Sequence, residues 1–181
     1  MKITDFRFYG GARERITKLG LANLFIEIQE IILETEVFLL EKKDANGGAE
    51  VRKLIDASFE KREDWIKKVT GDIDWSKRVR YNRTFIATIG VEVQVSARSD
   101  LLIRDLVHIR NNLQDGLIEV GIIVVPNNSF QVFLPDRTPS IKDAIKYIEE
   151  EFTEAQNYPI VIIGIEHDGP GEALKKQKRK S

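Results

Sequence analysis

A carboxylate and an amide stand two residues apart in residues 91–95, whose sequence is VEVQV. Apolar and polar residues alternate there with the period of two that is typical of a half-buried β-strand, so Glu92 and Gln94 are predicted to project from one face. Two oxygen-bearing side chains on a rigid strand suit a hard cation better than a soft one. A surface strand with two solvated side chains is the interpretation that the alternation leaves open.

The composition is typical of a globular protein without thiol chemistry. The 181 residues are 42% apolar and 31% charged, which favours one domain, placed here at residues 1–172. Cysteine is absent and only two histidines occur, which excludes disulfides and zinc–thiolate sites. No apolar run approaches the roughly 18–20 residues that cross a bilayer, and no signal peptide is evident. A cytoplasmic protein without membrane contact is therefore expected.

Basic residues concentrate in two segments, although the net charge is only −1. Residues 175–180 carry five positive charges and no negative one, and the tail over residues 173–181 is predicted to be disordered. Residues 61–110 hold eleven Lys and Arg against seven acids. Nucleic-acid binding is therefore expected to be local to that segment, and a solvated mixed-charge face explains the same count.

The elements around residues 84–96 predict an α/β fold. Apolar spacing predicts helices over residues 12–43, 49–69, 99–113 and 140–156, and strands over residues 3–8, 78–83, 84–96, 118–126 and 159–166. A hairpin turn is predicted near Asn82 and Arg83. The alternation of strands and helices after residue 84 predicts a sheet covered by helices, with the two β-branched runs as neighbouring inner strands and the two leading helices on one face.

Strand 91–96, the helix after it, and the strands at 119–126 and 159–166 together resemble the BglII/BstYI type II restriction endonucleases. The usual motif of the wider restriction-endonuclease-like fold is an Asp followed by Glu-x-Lys. This branch replaces the lysine by glutamine, which matches Gln94. The resemblance covers about residues 72–168 and implies a restriction-endonuclease-like α/β core, with a central mixed β-sheet flanked by helices and a helix-rich N-terminal part.

The resemblance implies an endonuclease that hydrolyses the phosphodiester bonds of double-stranded DNA, sequence-specifically and as a homodimer. The cofactor would be Mg²⁺, for which Mn²⁺ can substitute. Glu92 and the carbonyl of Val93 would coordinate the metal, and Gln94 would orient the nucleophile. Ser96 and Arg98, just beyond the strand, would face the DNA, where an arginine can bind guanine bidentately.

The second acid is the point at which this chain departs from the family's pattern. The family has an Asp about nine residues before the Glu, and here that position falls on Arg83, with Asn82 beside it. The nearest upstream acids are Asp74 and Asp72, 18 and 20 residues before Glu92. Asp74 is predicted as the catalytic and metal-binding acid, with Asp72 or Asn82 as alternatives. Asn82 and Arg83 are predicted to contact DNA.

Three other functions stay open on the sequence. The missing Asp allows a DNA-binding relative that does not cleave, the fold also serves repair and junction-resolving nucleases, and a scaffold that assembles through its long helix would need no nucleic acid. His108 is predicted to be structural or interfacial, and Asp105 to be a surface or capping group. His167, in the sequence Glu-His-Asp at a strand end, is predicted to be an ordinary polar residue and not a metal ligand.

Overall fold

The computed structural model describes residues 1–68, 70–96 and 99–176. The predicted DNA contact at Arg98 therefore lies outside the described residues, as does the end of the basic tail after Lys176. Leu174, near the start of that tail, is attached to the body, because its backbone N–H donates to the Asn46 side chain at 3.2 Å and its carbonyl accepts from Gly47 at 3.0 Å. Within the described ranges, no helix is long and apolar enough to span a bilayer.

A six-stranded mixed sheet forms the centre of the fold. Its strands are β1 (Lys2–Phe8), β3 (Ile66–Lys67), β4 (Trp75–Tyr81), β5 (Thr84–Val93), β6 (Val120–Pro126) and β7 (Ile160–Glu166), in the spatial order β1-β7-β6-β5-β4-β3. The pairs β5–β6 and β6–β7 are parallel, whereas β1, β4 and β3 join by antiparallel pairing. A separate parallel pair joins β2 (Phe38–Leu39) to β8 (Gly169–Pro170). The predicted mixed sheet and the inner neighbours β6 and β7 are confirmed.

Helices cover both faces of the sheet. They are α1 (Ala12–Lys18), α2 (Ala22–Glu34), α3 (Gly48–Glu60), α4 (Ser99–Gln114), α5 (Asn128–Phe133) and α6 (Ile141–Lys146), the last followed by a π-helical turn (Tyr147–Glu151) and a 3₁₀ turn (Thr153–Asn157). One core lies under α1, α2, α3 and α5, and the other under α4 and α6. Successive residues of β6 alternate between the cores, so Ile122 belongs to the first and Ile123 to the second. This is why β6 is apolar throughout.

The predicted helix over residues 12–43 is wrong, because the chain breaks it twice. Gly20 adopts a left-handed φ of +68° between α1 and α2, a conformation that no helix interior contains. After α2, the backbone N–H of Val37 donates to the Asp168 carboxylate at 2.8 Å, and residues 38–39 pair with β8. Tertiary contacts therefore override the helical spacing of Phe38 and Leu39.

Two other helix predictions were too long. The helix predicted to reach residue 69 ends at Glu60, and residues 66–67 form the edge strand β3. The helix predicted to reach residue 156 is α-helical only to Lys146. The short helix α5, which directly follows β6, was not predicted at all.

Candidate active site

The hairpin of β4 and β5 brings Asp74 to the C-terminal end of β5. Asn82 and Arg83 form its turn with positive φ values of 46° and 66°, the conformation of a tight primed turn. The strands pair as far as Trp75 opposite Val91. Asp74 therefore lies beside the C-terminal end of β5, where its Oδ2 accepts a hydrogen bond from the backbone N–H of Val93 at 3.0 Å. The long separation of Asp74 from Glu92 in sequence is the length of this hairpin.

Arg52 of α3 compensates the charge of Asp74. Its Nη2 lies 2.8 Å from Asp74 Oδ1, its Nε lies 2.9 Å from Asp56 Oδ1, and its Nη1 donates to the Val93 carbonyl at 2.7 Å. Asp56 also accepts from the indole N–H of Trp75 at 2.9 Å. Because carboxylate and carbonyl oxygens each have more than one lone pair, these bonds orient Asp74 and Val93 and leave capacity for a further ligand.

Glu92 is the least satisfied acid of this region. Its side chain is only 3% exposed, and among the described residues its Oε1 has no hydrogen-bond partner. Burial, the hydrogen bond with Asp74 and the charge of Asp74 raise the pKa of Glu92 well above its usual range. Burial also opposes ionisation of Asp74, but the hydrogen bond from Glu92 and the Arg52 guanidinium outweigh it and lower the pKa of Asp74. The metal-free pair therefore keeps a proton on Glu92, which a bound cation would replace.

Helix α4 adds two groups, Asp105 and His108, for which the sequence predicts no role in the site. One ligand atom each of Glu92, Asp105 and His108 lie within 4.8 Å of one another. Asp105 is 4% exposed, so its assignment as a surface or capping group was wrong. Burial raises the pKa of Asp105 to about 6. The sequence did hold a signal, because Asp105 lies three residues after the core residue Leu102, on the apolar stripe of α4.

These acids open onto a cleft of about 240 Å³. Its described lining consists of Lys68, Asp72, Asp74, Glu92, Arg104, Asp105 and His108. Asp72 is exposed at this cleft, so it remains an alternative ligand by position. Lys68 and Arg104 are also exposed. Acidic groups that suit a cation thus share one cleft with basic groups that suit an anionic substrate.

Gln94 and Ser96 lie just past β5. Gln94 is buried, its Nε2 donates to the carbonyl of Ser96 at 3.3 Å, and its backbone N–H donates to Val124 at 2.8 Å. The described residues that line the cleft do not include Gln94. Ser96 is partly buried. Gln94 is therefore only two residues from Glu92 in sequence, but its side-chain amide donates to the backbone and does not line the cleft.

Asn82 and Arg83 lie at the tip of the hairpin, eight strand positions or more from Glu92, which at the rise of a strand is about 25 Å. The alternative that Asn82 supplies the second metal ligand is therefore wrong. Both residues are exposed. Two further arginines, Arg78 and Arg80, lie over the Phe85 ring near the tip, with guanidinium carbons 5.0 and 4.4 Å from the ring centre. The tip is basic and aromatic.

A buried acidic pair that could hold a cation, basic side chains in the same cleft and a mixed sheet behind them are features typical of a nuclease-type phosphodiesterase. The chain belongs to the restriction endonuclease BglII/BglIII family, whose sequence model matches residues 4–165. It is accordingly an endodeoxyribonuclease of the restriction type, and the family resemblance is confirmed. The non-cleaving, repair and scaffold alternatives are less well supported.

The fold agrees with this assignment. The crystal structure of restriction endonuclease BglII complexed with a DNA 16-mer superimposes with a TM-score of 0.71 at 18% sequence identity, over 100% of this chain and 88% of that one. No curated protein matches the chain. The mixed sheet with flanking helices is thus the BglII fold.

Proposed function

We propose that this chain hydrolyses phosphodiester bonds of double-stranded DNA at a specific sequence, with Glu92 as its central catalytic residue and with Mg²⁺, or Mn²⁺ in its place, as cofactor. The observation that carries the proposal is the buried Glu92 oxygen that lies next to Asp74 and has no hydrogen-bond partner among the described residues, in a chain of a restriction endonuclease family. A buried acceptor without a partner costs about 1–3 kcal/mol. A cation would remove that cost.

Glu92, Asp74 and the carbonyl of Val93 would hold the cation. When bound, it polarises the scissile phosphate and lowers the pKa of a coordinated water. Arg52 positions this set, because one guanidinium binds both the Asp74 carboxylate and the Val93 carbonyl. Gln94 would orient the attacking water once its amide turns from the Ser96 carbonyl towards the cleft.

The basic groups of the cleft would bind the substrate's charge. Lys68 and Arg104 are exposed beside the acids, and each can contact a DNA phosphate. At the far end of the hairpin, Asn82 and Arg83 would contact the duplex together with the neighbouring arginines, and Ser96 would face the DNA near the site. Phosphate contacts of this kind fix position and make binding depend on salt.

A homodimer is the assembly that suits the substrate. The two strands of a duplex are related by twofold axes, so a twofold dimer presents one equivalent site to each strand. We propose that residues 1–172 form one nuclease domain in each protomer and that the protein acts in the cytoplasm.

Glu92→Gln tests the proposal. Glutamine keeps the shape of the side chain and its neutral charge in the metal-free protein, so the variant should fold. Without the carboxylate we expect cleavage of mixed-sequence duplex DNA in Mg²⁺ to fall at least about a thousandfold, while DNA affinity by gel shift stays within about threefold of the wild type. Glu14→Gln, at an exposed position of α1, is the matched control and should cleave normally. Wild-type cleavage by Glu92→Gln would reject the assignment.

A further inference from the structure

We propose that Glu92, Asp105 and His108 form a second divalent-cation site, on the α4 side of the cleft, which takes a transition cation of the Mn²⁺ class. The inference rests on the proposed role of Glu92 as a metal ligand and extends it, because neither the family pattern nor the hairpin supplies a ligand from α4. Glu92 contributes to both sites.

Helix geometry places the two α4 groups together. Asp105 and His108 are three residues apart, so they project from the same side of α4. One ligand atom from each, and one from Glu92, lie within 4.8 Å of one another. Ligands of one ion lie at most about twice the metal–ligand distance apart, which is roughly 4–4.6 Å. Small side-chain rotations would therefore close the three groups around a cation.

The second observation is that the buried carboxyl groups have few hydrogen-bond partners among the described residues. Glu92 lines this cleft, is only 3% exposed, and has one carboxyl oxygen, Oε1, without a hydrogen-bond partner among the described residues. Asp105 is equally inaccessible, and its described hydrogen bond is a long one, 3.4 Å from Arg104 Nη2 to Oδ1. Arg104 is itself exposed. Among the described residues, two buried carboxyl groups and an imidazole with so few hydrogen-bond partners are a set that a cation would stabilise.

The Asp74 side of the cleft differs in this respect. Both Asp74 oxygens already accept hydrogen bonds, one from Val93 and one from Arg52, and the Val93 carbonyl also accepts from Arg52. The protein supplies a fixed positive charge there. The α4 side adds two further ligand groups, Asp105 and His108, without a fixed charge of that kind among the described buried residues.

The ligand types indicate the class of cation. Carboxylates suit Mg²⁺, Ca²⁺ and Mn²⁺, whereas imidazole favours transition metals. A site with two carboxylates and one imidazole therefore selects Mn²⁺ over Mg²⁺. His108 is the source of that selectivity, since it is the nitrogen ligand of the set.

Mn²⁺ binding to the full-length protein without DNA tests the inference. Pulsed EPR of bound Mn²⁺ should show ¹⁴N modulation from a coordinated imidazole. Only two histidines occur in the chain, so His108→Ala should abolish the modulation although His167 is still present. We expect Mn²⁺ affinity, measured from the free-ion EPR signal, to fall at least about tenfold in His108→Ala and Asp105→Asn. Asp115→Asn, an exposed acid just after α4, is the control and should bind as the wild type does.

Mg²⁺ provides the discriminating comparison. By competition with Mn²⁺, the His108→Ala variant should lose much less affinity for Mg²⁺ than for Mn²⁺. Absence of ¹⁴N modulation in the wild type, absence of Mn²⁺ binding, or modulation that survives in His108→Ala would each overturn the inference. If any of these results accompanies the loss of cleavage in Glu92→Gln, the second site is wrong while the proposed nuclease function stands.

Discussion

Two clusters in this molecule have the same composition and opposite electrostatics. Each contains two glutamate or aspartate carboxylates and one histidine. The open cluster is Glu92, Asp105 and His108, at the cleft between β5 and α4. The closed cluster is Glu41, Glu166 and His167, at the end of β7.

The closed cluster is satisfied by the protein itself. His167 Nδ1 contacts Glu166, and its Nε2 lies 3.1 Å from Glu41 Oε1. Its ring packs between Phe130 and Phe133, with ring centres 5.5 and 5.4 Å away. Burial opposes ionisation of Glu166, but hydrogen bonds from Ser129, Asn127 and His167 outweigh it and lower its pKa.

The open cluster has the reverse property, because burial dominates and raises the pKa of both of its carboxyl groups. The difference teaches that residue types alone do not define a site. Both clusters combine two acids with a histidine, which are residue types that commonly bind metal ions. Among the described residues, the open cluster contains a buried carboxyl oxygen without a hydrogen-bond partner, and this gives it a reason to bind a cation.

The largest effect should come from removing His167 in metal-free protein, with removal of His108 as the comparison. His167→Ala deletes a buried ring between two phenylalanines and removes one side-chain partner each from Glu166 and Glu41, so we expect a loss of about 3 kcal/mol in unfolding free energy. His108→Ala removes a half-buried ring from a cluster that lacks compensation and should cost less than about 1 kcal/mol. Urea unfolding in EDTA measures both, and equal losses would erase the distinction between the clusters.

Asp105→Asn should make the metal-free protein more stable. The folded pKa of Asp105 is raised from 3.8 to about 6, so its contribution to stability is full below pH 3.8 and is lost as the pH rises through 6. The asparagine variant lacks this loss. Its advantage should grow between pH 4 and 6 and then stay level at about 2–3 kcal/mol. Urea unfolding at pH 4.5, 6 and 8 with EDTA checks this, and a destabilised variant at pH 8 would contradict the account of the open cluster.

Glu166→Gln should have the smallest effect and the opposite sign. The pKa of Glu166 is lowered from 4.5, so its contribution is present above pH 4.5 and is lost as the pH falls through the lower folded value. We expect the variant to be about 1 kcal/mol less stable at pH 7, with the difference vanishing in acid. Urea unfolding of both proteins over a series of pH values measures this difference in stability. A variant that is more stable at pH 7 would place the closed cluster in the same class as the open one.

The sequence predicted the strands better than the helices. β5, β6 and β7 follow from alternation or from unbroken β-branched runs, which few other structures tolerate. The long N-terminal helix failed because helical spacing continues through Gly20 and past α2, while the left-handed glycine and the pairing of β2 with β8 are decided by backbone conformation and by residues far along the chain.

The site was predictable only in part for the same reason. Glu92 is found from its alternation within one strand, and Asp74 only from a choice among upstream acids. Arg52 carries no local signal, because its partners Asp74 and Val93 are distant in sequence and come near only when α3 packs on the sheet. The burial of Asp105 is not predicted from its residue type, because aspartate is mostly exposed in proteins, and only its position on the apolar stripe of α4 indicates it.

The paired base of the β4–β5 hairpin has a consequence for how such sites vary. Trp75 pairs with Val91 at the base of the hairpin, far from the turn between Tyr81 and Thr84. The register irregularity after Val79 lies near the tip and leaves the pairing at the base unchanged. Insertions and deletions at the tip can therefore lengthen or shorten the ribbon in opposed pairs, with a single extra residue absorbed as a bulge. The count of residues between two acids is then free to drift while their contact is preserved. The position of the second acid is therefore better predicted from the pairing of the partner strand than from a fixed number of residues in the sequence.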